Sequence, residues 1–285
     1  MISDGKPYLI YGTAWKKDRT SSLVNEAIHA GFRYIDTACQ PKHYNEDGVG
    51  QGWTKAAKSL ELSRESFFLQ TKYTSLNGQD PDRVPYDKFA PLPDQVRQSV
   101  SKSLQNLRTT YIDRIVLHSP MRTFEDTMIV WRALESFVED GTVRSLGMSN
   151  CYDMTFFKRV YDQAKVKPTA LQNRFYAESS FDVELRKFCS ENGITYQSFW
   201  TLTGNRNALA SQPVQNLAST KGLSPQTLMY AYMMTMGHTP LDGTTSKNHM
   251  DEDVQVMKRI QSGEIILNED EMKEMDKYLG VDFEL

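Results

Sequence analysis

The sequence predicts an α/β fold, a closed (β/α)8 barrel of the TIM type in a single domain. Three observations carry that expectation: β-rich runs alternate with amphipathic helical stretches from end to end, eight such runs occur, and no Pro/Gly/Ser-rich linker or shift in composition divides the 285 residues. Eight βα units in one chain of this length suit a barrel better than an open, doubly wound sheet. One domain is therefore expected over residues 1–285, with an extra helix after the eighth unit.

The first run, YLIYGT, spans Tyr8 to Thr13, and the helical pattern from Ser21 to Ala30 stops at Gly31, a residue that ends helices cheaply. The second, FRYID, leads through a polar loop into a helix from about Asn45 to Leu60. The third, SFFLQTK, is followed by a long connection from Tyr73 to Pro91 and then by LPDQVRQSVSKSLQNL, where Val96, Val100, Leu104 and Leu107 recur at helical spacing. The fourth, DRIVLHSP, precedes a helix from Phe124 to Glu139 with Trp131, Leu134 and Val138 on one face and a stop at Gly141. VRSLGMSN is the fifth, ahead of a helix from Met154 to Ala164; TALQNRF is the sixth, ahead of one from Phe181 to Asn192 closed by Gly193. The seventh, ITYQSFW, is followed by helical patterns over Ala208 to Thr220 and Ser224 to Met236. The short eighth run, TPLDGT, feeds a helix entered near Ser246, and Glu269 to Tyr278 reads as the extra helix outside the barrel.

Hydrophobic content of 39% and charged content of 24% are ordinary globular values. A net charge of -3 supplies no basic footprint for nucleic acid and no polybasic patch for a membrane surface. Three cysteines, Cys39, Cys151 and Cys189, show no C-x-x-C spacing, so no disulfide framework or metal site is encoded. MISDGKPYLIYG lacks the pattern of a secretory leader, and no segment is long and apolar enough to span a bilayer. The expectation is a cytoplasmic protein, a monomer or weak homo-oligomer, acting on a small molecule.

Active sites of α/β barrels are built at the C-terminal ends of the strands. Here the second run closes on Asp36, the third on Lys72, the fourth on His118, the fifth on Ser149 and Asn150, and the sixth on Gln172 and Asn173, while the loop after the second carries Tyr44. An ammonium beside a carboxylate stays charged, and near a phenol it lowers the phenol's pKa from about 10. Such a tyrosine is a general acid for a developing alkoxide, and an imidazole can position the carbonyl oxygen. No side chain donates hydride, so a nicotinamide cofactor is implied.

With these residues placed, the chain resembles the aldo-keto reductase superfamily nearly end to end. YGTAW is similar to the family's first-strand motif, GFRYIDTA to the second, LQTK to the lysine strand, IVLHSP to the histidine strand and GMSN to the fifth strand. ALQNRFY resembles the sixth-strand motif with its amide, SFWTL the seventh with its stacking aromatic, and GTTSKNHMDED the segment that holds the adenosine phosphate. The resemblance implies reduction of aldehydes or ketones to alcohols with NADPH. It assigns Tyr44 as proton donor, Asp36 and Lys72 as its tuning pair, and His118 as the carbonyl-orienting residue. Cofactor contacts would come from Gly12, Thr13, Asp36, Ser149, Asn150, Asn173, Phe199, Leu202, Gly243, Thr244, Thr245, Ser246, Lys247, His249, Glu252 and Asp253.

The departures from the family pattern define further expectations. Seven residues, Thr37 to His43, separate Asp36 from Tyr44, a longer interval than in common members, so His43 is the alternative donor. The family's lysine and arginine near the 2'-phosphate align with Gly243 and His249, which leaves Lys247 as the nearest cation and NADH as a rival cofactor. Trp15, Cys39, Tyr73 and Trp200 are expected pocket walls, and the loop from Tyr73 to Pro91 is expected to cover part of the site through Tyr73, Tyr86 or Phe89. Two other classes compete: an NADP(H)-binding regulatory or adaptor protein with secondary turnover, and a phosphate-handling isomerase or aldolase.

Overall fold

The computed structural model describes residues 9–281. Eight strands, β1 (Ile10–Gly12), β2 (Tyr34–Asp36), β3 (Phe68–Tyr73), β4 (Arg114–Leu117), β5 (Leu146–Ser149), β6 (Pro168–Arg174), β7 (Thr195–Phe199) and β8 (Thr239–Asp242), form a closed barrel in chain order. Every neighbouring pair is parallel, and β8 pairs back with β1 through Ile10 opposite Leu241. The crossovers are α1 (Thr20–Ala30), α2 (Glu46–Ser59), α3 (Leu92–Leu107), α4 (Phe124–Glu139), α5 (Met154–Gln163), α6 (Val183–Glu191), then α7 (Arg206–Ala210), α8 (Gln212–Thr220) and α9 (Pro225–Thr235) between β7 and β8. After β8 come α10 (Lys247–Gln261) and α11 (Glu269–Leu279).

Strand alternation divides the chemistry. On β3, Gln70 and Lys72 turn into the barrel, while Leu69, Thr71 and Tyr73 turn out towards the helices. The outer layer joins Leu69, Ile115, Leu117, Leu146, Met148 and Leu171 to apolar faces of the helices in one buried core. Trp131 of α4 is fully buried and donates its indole N–H to Val166 O at 3.1 Å, which satisfies its only polar atom. Helix α2 contains three glycines despite their poor helix propensity. Contact with α3 explains one of them: a Cβ on Gly50 would lie 2.0 Å from the Asn106 carbonyl oxygen.

Helix boundaries follow local signals. Asn45 accepts from Gly48 N at the start of α2, Thr123 from Asp126 N at α4, and Ser246 from His249 N at α10. Gly31 closes α1 at φ 124°. Three expectations shift. The first residue expected in β1, Tyr8, lies outside the described residues. The sixth helix begins at Val183 rather than Phe181, because Ser180, Phe181 and Asp182 all carry positive φ, 49°, 53° and 52°. The pattern over Ala208 to Thr220 is two helices broken at Ser211, whose extended backbone precedes Gln212-Pro213. Helix α11 sits outside the barrel, tied by Lys221–Glu271 at 2.6 Å and by Tyr232 Oη donating to Asp276 at 2.5 Å. Among the described residues no helix is long and apolar enough to cross a membrane.

Candidate active site

A cleft of about 700 Å3 opens at the C-terminal ends of the strands, within the range of small-molecule and cofactor sites. Its floor is a buried polar layer. Lys72 Nζ donates to Asp36 Oδ2 at 2.5 Å and to Thr37 O at 2.9 Å. The other carboxylate oxygen, Asp36 Oδ1, accepts from Gln70 Nε2 at 2.7 Å and from Gln172 Nε2 at 3.0 Å. Gln197 locks those amides together, accepting from Gln70 at 2.8 Å and Gln172 at 2.9 Å and donating back to Gln70 at 3.0 Å. A fully bonded layer of this kind fixes the carboxylate in one orientation. Gln70 and Gln197 were not expected from the sequence, although each stands two residues before an inward strand-end residue, Lys72 and Phe199, and so on the same face.

Tyr44 sits above this floor. Lys72 Nζ lies 5.2 Å from its ring centroid, and the His118 ring meets it edge-on with centroids 5.9 Å apart. The long loop reaches that position because it folds back on itself: His43 N and Tyr44 N both donate to Gln40 O, and Gln40 Nε2 donates to Gly78 O at 2.7 Å. Two residues on, the buried Glu46 accepts from Thr71 and Asn106, pinning the loop's exit. His43 also lines the cleft, but its ring stacks on Trp15 with centroids 3.9 Å apart.

Electrostatics correct one expectation. The Tyr44 phenol is raised above its ordinary range, by burial first and by the charge of Asp36 second. Lys72 does not acidify it at rest, because its ammonium is spent on Asp36. Lys72 itself is lowered by burial, with Asp36 opposing, and His118 is lowered well below the usual histidine range by burial and then by Lys72 and His43. The imidazole is therefore neutral. Thr74 Oγ1 hydrogen-bonds its Nδ1 at 2.6 Å and Asn150 Nδ2 donates to its backbone carbonyl at 2.8 Å, which leaves Nε2 for the cleft.

Of the expected cofactor and pocket residues, Gly12, Trp15, Asp36, Ser149, Asn150, Phe199, Trp200, Leu202, Gly243, Thr244, Thr245, His249 and Asp253 line the cleft. Others do not. Asn173 points outward from β6, exchanging hydrogen bonds with the Cys151 backbone and donating to Asp182; the neighbouring Gln172 is the amide that faces in. Tyr73 is turned out by the same alternation and packs on Tyr86 in the core. Cys39 is buried on the helix side, its thiol raised by burial and by Glu46. Thr13 is buried with its hydroxyl on Asp36 O, Ser246 serves as the α10 cap, and Glu252 accepts from Ser224 N. Lys247 is exposed and paired with Asp251 at 2.6 Å. The connection after β3 does not cover the cleft: Tyr86 donates to Thr74 O and is buried, and Phe89 is 86% exposed away from it.

Two basic residues that the sequence reading passed over also line the cleft. Lys16 donates to Gly243 O and, at 3.4 Å, to Thr244 O, and its ammonium is lowered by burial with Asp242 opposing. Arg174 extends from the end of β6. At the same end as Lys16, Asp253 is pushed up to about 8 by burial first and by the Asp242 charge second.

Known proteins resemble this one over most of its length. A glycerol 2-dehydrogenase (NADP(+)) from Hypocrea jecorina is 24% identical over 87% of this chain and 85% of its own. An NAD(P)H-dependent D-xylose reductase from Pachysolen tannophilus is 24% identical over 84% of this chain and 83% of its own. The solved structure of the aldose reductase from Schistosoma japonicum superposes with a TM-score of 0.80 at 22% identity, covering 98% of this chain and 90% of that one, which shows the shared barrel. Residues 9–279 match the sequence model of the Aldo/keto reductase family, and with the barrel and the strand-end cleft in place the chain belongs to that family of NAD(P)H-dependent oxidoreductases.

Proposed function

We propose that the protein reduces an aldehyde or ketone to the alcohol, with Tyr44 as proton donor and NADPH as the preferred reductant. The observation that carries this reading is the seating of the Tyr44 ring between the Lys72 ammonium and the His118 imidazole at the cleft floor. The nicotinamide, when bound, supplies the hydride. Ser149, Asn150 and Gln172 fit its carboxamide, since all three present polar groups on one wall, and Phe199 fits as the stacking ring. The cleft also carries buried polar atoms without partners among the described residues, Gln40 Oε1, His43 Nδ1 and Arg174 Nε, as a site awaiting a polar ligand does.

His118, neutral and held through Nδ1, presents Nε2 to orient the carbonyl oxygen. Tyr44 keeps its proton at neutral pH because its environment disfavours the phenolate. It releases that proton only to a much stronger base, the alkoxide that forms as hydride arrives. Lys72 then faces the developing phenolate, and the Asp36 amide layer keeps the lysine from moving. Lys16 and His249 are the basic groups at the Gly243–Thr245 end, where the adenosine phosphate is expected.

The test is a carbonyl panel with NADPH and with NADH, following loss of nicotinamide absorbance. Turnover with aldehydes or ketones and tighter binding of NADPH, weakened in Lys16→Ala or His249→Ala and unaffected in Lys247→Ala, is expected. Equal binding of both nucleotides removes the NADPH preference, and binding without turnover favours a regulatory role.

A further inference from the structure

Among the arginine and lysine side chains lining the cleft, Lys16 and Arg174, Arg174 stands apart. Asp36 holds Lys72, and Lys16 stands against Asp242. Arg174 forms no ion pair among the described residues, and its Nε is buried without a hydrogen-bond partner. It is nonetheless held in place. Its guanidinium carbon lies 4.2 Å over the Trp200 ring, with Phe199 at 5.9 Å and Tyr176 at 6.0 Å, and its backbone N–H donates to Tyr152 Oη at 3.1 Å. Aromatic faces take the flat side of a guanidinium and leave its N–H edge, which is shaped for two oxygens of one carboxylate or phosphate. On β6 it stands two residues beyond Gln172, on the same wall and nearer the mouth, and in register with Phe199.

We propose that Arg174 is the anion anchor of the cleft, binding a pair of anionic oxygens brought in by the ligand, with the diphosphate of the dinucleotide as the favoured source. This rests on the reductase reading above. A nicotinamide at Phe199 and an adenosine at Gly243–Thr245 would leave the diphosphate between them, where Trp200 and Leu202 line the cleft and Arg174 is stacked on Trp200. A carboxylate on the carbonyl substrate offers the same chemistry and is the other source.

The experiment is calorimetric titration of the wild-type protein, Arg174→Met and Arg174→Lys with NADPH, NADH and inorganic pyrophosphate at low and high salt, with thermal melts run alongside. Arg174→Met is expected to weaken NADPH and NADH equally, by about tenfold or more, and to flatten the salt dependence; Arg174→Lys recovers only part. If nucleotide affinity holds but KM rises selectively for a carboxylate-bearing aldehyde over an uncharged one, the anchor stands and the source is the substrate. Unchanged affinities and an unchanged substrate preference overturn it. Should Arg174→Met fail to fold, Arg174→Lys decides by the same readouts. A wild type that binds pyrophosphate through Arg174 but neither nucleotide defeats the reductase reading and keeps the anchor; one that binds none of the three defeats both.

Discussion

Replacing Lys72 with methionine removes the ammonium and keeps most of the side-chain volume. Lys72 is 1% exposed and makes two hydrogen bonds, to Asp36 Oδ2 at 2.5 Å and to Thr37 O at 2.9 Å. The variant leaves a carboxylate inside the barrel with only the amides of Gln70 and Gln172 on its other oxygen. Breaking a buried pair from one side costs about 3–5 kcal/mol. For a chain of this size that lowers Tm by roughly 6–10 °C. The double variant Asp36→Asn/Lys72→Met removes the stranded charge and should recover at least half of the loss, whereas Asp36→Asn alone leaves the ammonium unpaired and should cost a similar amount. Melts followed by circular dichroism on the four proteins complete a double-mutant cycle. A Lys72→Met protein as stable as the wild type, with turnover intact, would refute both the ion pair's role in the floor and its role beneath Tyr44.

The other expectations test separate parts of the site. Thr74→Val removes the hydroxyl that holds His118 Nδ1 and should lower kcat/KM by about three- to tenfold; Thr74→Ser should restore it, and equal rates in all three would show that the imidazole needs no such support. Asp253, 2% exposed, has its folded pKa raised to about 8, against about 3.9 unfolded. Its favourable contribution is therefore full below about pH 4 and lost as pH rises through about 8. Asp253→Asn does not titrate, so its stability advantage should grow from pH 5 to about pH 8 by up to about 4 kcal/mol and level off above that, read as a growing difference in Tm. Parallel Tm profiles for the two proteins would contradict the raised pKa of Asp253.

The barrel and the order of its polar strand ends were legible because period-2 runs and helix stops lie in local sequence. Asn150, Ser149, Phe199 and the Gly243–Thr245 stretch reach the cleft as expected. Asn173 and Tyr73 were misplaced although the sequence held the correction: Gln172 and Lys72 face inward, so the next residue on each strand faces out. Cys39 could not be placed that way, since the loop after β2 takes its path from distant partners, Gly78 O for Gln40 and Gln79 Nε2 for Cys39 O. The left-handed run Ser180–Asp182 contains no glycine and gives no local signal. The sign of the Tyr44 shift was also out of reach, because it depends on how completely Asp36 neutralises Lys72 and on the depth of burial.

The most direct measurement is a single-turnover comparison of wild type and Tyr44→Phe, with reduced nucleotide pre-bound and an aldehyde from the reactive panel mixed in. If a proton from Tyr44 accompanies hydride transfer, the phenylalanine variant binds nucleotide with unchanged affinity and loses about 10^2- to 10^4-fold in rate. A variant that turns over at the wild-type rate contradicts the account at its centre.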